Sequence, residues 1–151
     1  MVEEDIYAWP NLLPDKDHAG EDALYWASWA YRTRSELTPV YEVMGKPMPD
    51  DPRELDTLVT QFIDGWLPRV AALAVKAEFF LNAAKASMWP SQIDEEGIKR
   101  TVTDREVVYD SALAPYRFVR DELDSLTKRM VDRVRWAQSV RKVQGDAQGG
   151  Y

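Results

Sequence analysis

The chain has 151 residues, 45% of them hydrophobic, no cysteine, one histidine and a formal net charge of −7. That is one domain able to bury a core; disulfides and thiolate metal sites are excluded, and an overall acidic surface argues against binding nucleic acid over its whole extent. No run of 18 apolar residues stands out, so no membrane span is predicted, and the acidic start, MVEEDIYAWP, is unlike a signal peptide and predicts a cytoplasmic protein.

Residues 1–18 read as an irregular acidic arm interrupted by Pro10 and Pro14. Over residues 1–22, Glu3, Glu4, Asp5, Asp15, Asp17, Glu21 and Asp22 face only Lys16. Ile6, Tyr7, Trp9, Leu12 and Leu13 give the arm apolar side chains with which to dock on the body or on a neighbour. His18 reads as a solvated loop residue, since a metal site needs several clustered ligands.

Residues 19–144 read as a single helical domain and 145–151, rich in glycine, as a flexible tail. A first helix is expected from near Asp17 or Ala19 to Met44, kinked or broken near Pro39 and stopped by Gly45. A second begins at Asp51, Pro52 and Glu54, a cap, a first-turn proline and a capping-box acid. Its apolar face runs from Leu55 to Met88, with a kink near Asp64 and Gly65 because Pro68 has no N–H to give. A polar connection follows (90–102). Thr103 and Glu106 read as a capping box for a third helix, which Pro115 either kinks or separates from the last.

The last stretch, Tyr116–Lys142, has neither Gly nor Pro. Tyr116, Leu123, Met130 and Ala137 recur every seven residues, interleaved with Val119, Leu126, Arg133 and Val140. This a/d pattern predicts packing against another helix. An all-α bundle of three to four helices follows, oligomeric through Val119, Leu123, Leu126, Met130, Ala137 and Val140. Arg133 breaks the stripe and must snorkel out, find a carboxylate or fix register. Arg117, Arg120, Lys128, Arg129, Arg133, Arg135, Arg141 and Lys142 outnumber Asp121, Glu122, Asp124 and Asp132, making this a basic helix on an acidic protein.

No phosphate-cradling glycine loop or nucleophile elbow is present. The pairs Glu106/Asp110 and Asp121/Asp124 have metal-compatible spacing but read as solvated surface charge. The chain is therefore expected to be no enzyme and to need no metal or cofactor. Binding chemistry is the better expectation. Arg129, Arg133, Trp136, Arg141 and Lys142, with Lys128 and Arg135, supply cations to track phosphates and a ring to stack on bases, as single-stranded nucleic acid requires.

AVKAEFFLNAA (Ala74–Ala84) and DRVRWAQSVRK (Asp132–Lys142) resemble two segments of UvsY-type phage recombination mediators. The likeness covers about residues 54–142. It implies a small all-α homo-oligomer that binds single-stranded DNA and helps load a RecA-like recombinase onto strands coated by single-strand-binding protein. It also places Lys76, Arg133 and Arg135 among the DNA contacts, whereas Glu78 stands where the family segment carries arginine. A second expectation is an acidic phage adaptor, of virion or host-interference type, that binds a protein partner through its arm and surface aromatics.

Overall fold

The computed structural model describes Trp9 and residues 21–149; what the sequence predicts for the rest of the arm, His18 included, and for 150–151 lies outside them. The secondary structure of the described residues is helical apart from one isolated bridge: α1 (Glu21–Gly45), α2 (Pro52–Thr60), a π-helical turn (Gln61–Trp66), α3 (Leu67–Ser87) and α4 (Val102–Gly149). The π-turn joins α2 to α3, so there are three helical rods, the last of 48 residues. Side-chain contacts fix their directions. Tyr25 lies against Phe80 and Glu36 pairs with Arg69, so α1 and α3 are antiparallel. Glu78 pairs with Arg120 and Asp56 with Arg141, so the second rod and α4 are antiparallel as well.

Local chemistry sets the boundaries. Asp51 caps α2 by accepting from the Arg53 N–H at 2.8 Å, with Pro52 in the first turn where a missing N–H costs nothing. The Pro68 effect takes the form of a π-turn, in which the Leu67 N–H reaches back five residues to the Phe62 carbonyl. The turn absorbs one extra residue. Buried positions on this rod fall at Leu55, Phe62, Val70, Ala77 and Ala84, steps of seven broken by one step of eight at the turn. Without that extra residue the apolar stripe of α3 would rotate away from α4.

Two prolines leave their helices unbroken, and two boundaries differ from the sequence expectation. Pro39 lies inside a continuous α1, and Pro115 inside a continuous α4, where tertiary packing outweighs one lost backbone bond in each case. The last cap sits two residues early. The Thr101 hydroxyl accepts from the Asp104 N–H at 3.1 Å while Asp104 accepts from the Thr101 N–H at 3.2 Å, so this reciprocal box starts the helix at Val102 and leaves Thr103 inside it. At the other end α4 runs through Gly145 to Gly149, well into the stretch expected to be a flexible tail. In the connection before α4, Asp94 accepts from the N–H groups of Glu96 and Ile98, Gly97 turns the chain at φ 81°, and Ile93 forms an isolated antiparallel bridge with Lys99.

The core holds Trp26, Leu37, Val40, Phe62, Val70, Leu81, Leu113, Leu123, Leu126 and Met130, all fully buried. Each buried leucine stabilises the fold by about 1.5–3 kcal/mol relative to exposure. Ala77 and Ala84 are buried and Ala74 partly so, and α3 approaches α4 closely. α1 stands farther off, spaced by Trp26, which stacks on Tyr116 at 4.1 Å between ring centroids, and by Trp29 against Phe80.

Candidate functional site

The basic last helix is where the sequence places the chemistry, and the fold decides which of its side chains are available. The six residues expected to join copies do not lie on a free surface. Val119, Leu123, Leu126, Met130 and Ala137 are fully buried in the chain's own core, and Val140 is half-buried. The a/d stripe of α4 is the seam with the second rod and α1, so contact between copies through it would require the bundle to open. The stripe also drifts. Val134 takes the buried place that a strict seven-residue repeat gives to Arg133, as an α-helix of 3.6 residues per turn dictates.

Arg133 is turned toward the end of α1. Its guanidinium donates to the carbonyls of Val43 at 3.3 Å, Lys46 at 3.0 Å and Met44, at and just past the C-terminus of α1, where Val43 also accepts from the Lys46 N–H at 3.2 Å. A planar cation at a helix C-terminus satisfies those acceptors and meets the negative end of the helix dipole.

Most of the other α4 arginines are paired. Arg117 meets Asp110 at 3.4 Å, Arg120 meets Glu78 at 2.9 Å and Asp121 at 2.6 Å, Arg129 meets Glu122 at 3.0 Å, and Arg141 meets Asp56 at 2.8 Å. The bond to Glu78, then that to Asp121, raises the Arg120 pKa. Glu122 also accepts from the Tyr41 hydroxyl at 2.9 Å, and Tyr41 shares a hydrogen bond with the buried Trp9, the one described residue of the arm. Burial, then the Glu122 charge, pushes the Tyr41 hydroxyl well above its ordinary pKa. Burial and then Asp22 push Tyr116 up to about 12.

The remaining cations of Tyr116–Lys142, namely Lys128, Arg135 and Lys142, are exposed, and their side chains make no ion pair or hydrogen bond among the described residues. Trp136 beside them is 47% exposed. Asp132 and Asp146 lie four residues beyond Lys128 and Lys142, on the same helix face, and dilute its positive potential. Lys76 is not near this face. It sits on α3 with its ammonium 5.6 Å from the Phe80 ring centroid.

The sequence reading missed the outer face of α3. Pro68, Ala72, Val75, Phe79, Asn82 and Ala86 form a second a/d stripe, and all six are exposed, Val75 by 73% and Phe79 by 65%. The spacing was present in the sequence, but the rod's apolar residues were assigned to one face. By length and composition alone, the continuous rod Pro52–Ser87 is apolar enough to cross a membrane. It contains an 18-residue window with mean hydropathy 1.2 of which only 22% is buried. Beside this face, between α1 and α3, lies a cavity of about 360 Å³ lined by Asp22, Tyr25, Phe79, Phe80, Ala84 and Tyr116. Among the described residues, no group of three or more carboxylate or histidine side chains is placed to hold a metal. No protein-family model, curated protein or solved structure matches the chain.

Proposed function

We propose that this chain is a non-enzymatic adaptor that works by binding other protein through exposed helical surface. The observation that carries the reading is the fate of the basic helix. Five of its eight cations, Arg117, Arg120, Arg129, Arg133 and Arg141, are engaged by the chain's own carboxylates and carbonyls. The exposed aromatics Tyr25, Tyr31, Phe79, Trp89 and Trp136 offer the amphipathic rings that protein interfaces favour. The resemblance to recombination mediators supports a second reading, a single-stranded-DNA-binding loader of a RecA-like recombinase. Its specific support is the unpaired trio Lys128, Arg135 and Lys142 with Trp136.

Titration of a labelled 30-nucleotide oligothymidine at 25 mM and 200 mM salt separates the two. The adaptor reading expects no saturable binding below 100 μM protein at either salt. Tight binding that weakens steeply with salt would overturn it in favour of the mediator reading.

A further inference from the structure

The geometry points to a second copy of this chain as the occupant of the α1–α3 face, docked antiparallel about a two-fold axis near Val75 and Phe79. The inference does not depend on the adaptor reading. On α1, Glu21, Tyr25 and Arg32 recur at helical spacing along one side, with Asp22 next to Glu21, and all four are exposed. Tyr25 and Phe79 line one cavity, so this side of α1 is continuous with the outer stripe of α3. The result is one surface with an apolar centre of Tyr25, Ala72, Val75 and Phe79.

Charge on this surface is segregated. α1 begins at Glu21 and Asp22, opposite the C-terminal part of α3, because Tyr25 lies against Phe80. Arg32 and the Arg69–Glu36 pair lie at the other end, and Arg69 keeps 58% of its side chain exposed. Across the whole face, Arg32, Arg69 and Lys76 balance Glu21, Asp22 and Glu36, so it is neutral on a chain whose formal charge is −7. A neutral patch on an acidic protein is where two copies meet with least repulsion.

An antiparallel two-fold inverts the face end for end. It sets Glu21 and Asp22 of each copy against Arg32 and Arg69 of the other, and Val75 against Phe79. A parallel arrangement would set acid on acid and base on base. Isologous contacts must be self-complementary, and this one is so in both charge and apolarity. A bilayer would use the apolar centre but leave the charged ends without partners.

Size bounds the affinity. The face runs from Arg69 to Ala86, roughly 27 Å of helix, and two helices wide it covers roughly 500 Å² per copy. Such an interface buries about 1,000 Å² in total, the lower edge for a specific one, so a micromolar dimer is expected.

Sedimentation equilibrium of the full chain from 5 to 500 μM tests this. The wild type is expected to shift from monomer to dimer across that range. Phe79→Ser with Val75→Ser should raise the dissociation constant at least tenfold while leaving helical content unchanged, since both side chains point outward. Asp22→Arg and Arg32→Asp should each weaken the dimer, and the double reversal should restore it. A wild type that stays monomeric at 500 μM overturns the proposal, as does a dimer indifferent to the Ser pair, or zwitterionic vesicles capturing a chain that forms no dimer. A dimer in which the two reversals fail to rescue each other overturns the antiparallel arrangement.

Discussion

Arg133 is the residue whose place the sequence framed and the fold decided. Its position in an apolar stripe marked it as a charge needing a special partner. The partners are carbonyls at and just past the end of α1, some ninety residues away in the chain, and no local spacing arithmetic could find them. Arg133→Ala removes a charge-assisted fork from a helix end and should destabilise the fold by about 2 kcal/mol. For a domain of this size that lowers Tm by about 4–8 °C, followed by circular dichroism. Arg133→Lys keeps the charge but loses the planar fork, and should recover only about half of that loss. Tyr116 makes a prediction of a different kind. Its hydroxyl titrates at about 12 in the folded chain against 10.0 ordinarily. Between those values the unfolded chain has lost the proton and the folded chain still holds it. Stability is therefore full below pH 10 and falls as pH rises toward 12. Tyr41, shifted the same way by burial and by Glu122, adds to the fall. Tyr116→Phe keeps the ring that stacks on Trp26, so Tm at pH 7 should barely change while the alkaline decline becomes shallower. Thermal melts at half-unit steps from pH 8 to 11 would show an unchanged decline if the buried hydroxyl plays no part.

Among the elements, the start of α2 was legible, and the form each interruption takes was not. Asp51 and Pro52 announced α2 because capping and first-turn chemistry are local. Pro68 was correctly read as a disturbance, but its form, a π-turn inserting one residue, follows from the need to keep Phe62 and Val70 on the same buried stripe, which only α4 imposes. The same tertiary demand carries α1 through Pro39 and α4 through Pro115. The cap at Thr101 was missed because two candidate boxes lie two residues apart, and only the preceding turn through Gly97 decides between them. Two glycines turn this into a test. Gly65 lies in the π-turn with nothing within 4 Å of a Cβ added there. Gly65→Ala should therefore stabilise by about 0.5–1 kcal/mol, the ordinary gain of alanine over glycine inside a helix. Gly97 also has open space but sits at φ 81°. Gly97→Ala should destabilise by about 1–2 kcal/mol, because a Cβ there meets its own backbone. Urea denaturation midpoints moving in opposite directions for two substitutions of the same chemistry would separate helix from left-handed turn. Movement in the same direction would mean the π-turn requires its glycine.

For the whole molecule, the count of positive charge in the last helix was legible and its availability was not. Eight cations on one helix read as a grip for phosphate, yet Arg120 finds Glu78 across 42 positions of the chain and Arg141 finds Asp56 across 85. The acidic residues that give the chain its net charge are thus partly the partners of the basic helix, and folding turns an apparent binding surface into inter-helix pairing. The outer stripe of α3 is the converse case. Its residues looked like core because they are apolar, but a rod in a three-rod bundle has more apolar face than two neighbours can cover. These two facts constrain any binding of single-stranded DNA. Each phosphate neutralised on a single strand contributes about −0.7 to the slope of log affinity against log salt, so the three free cations Lys128, Arg135 and Lys142 allow a slope near −2 for one chain. An antiparallel pair joined through α1 and α3 leaves α4 of both copies outward and allows about twice that slope if one strand spans both. Replacing all three by Gln should abolish any salt-dependent oligonucleotide binding and leave helical content and dimer mass unchanged. A slope of −6 or steeper would require the paired arginines to abandon Asp56, Glu78 and Glu122 for phosphate, and Asp56→Asn or Glu122→Gln would then strengthen DNA binding, whereas with the pairs intact they should lower Tm by a few degrees and leave the oligonucleotide titration as it was.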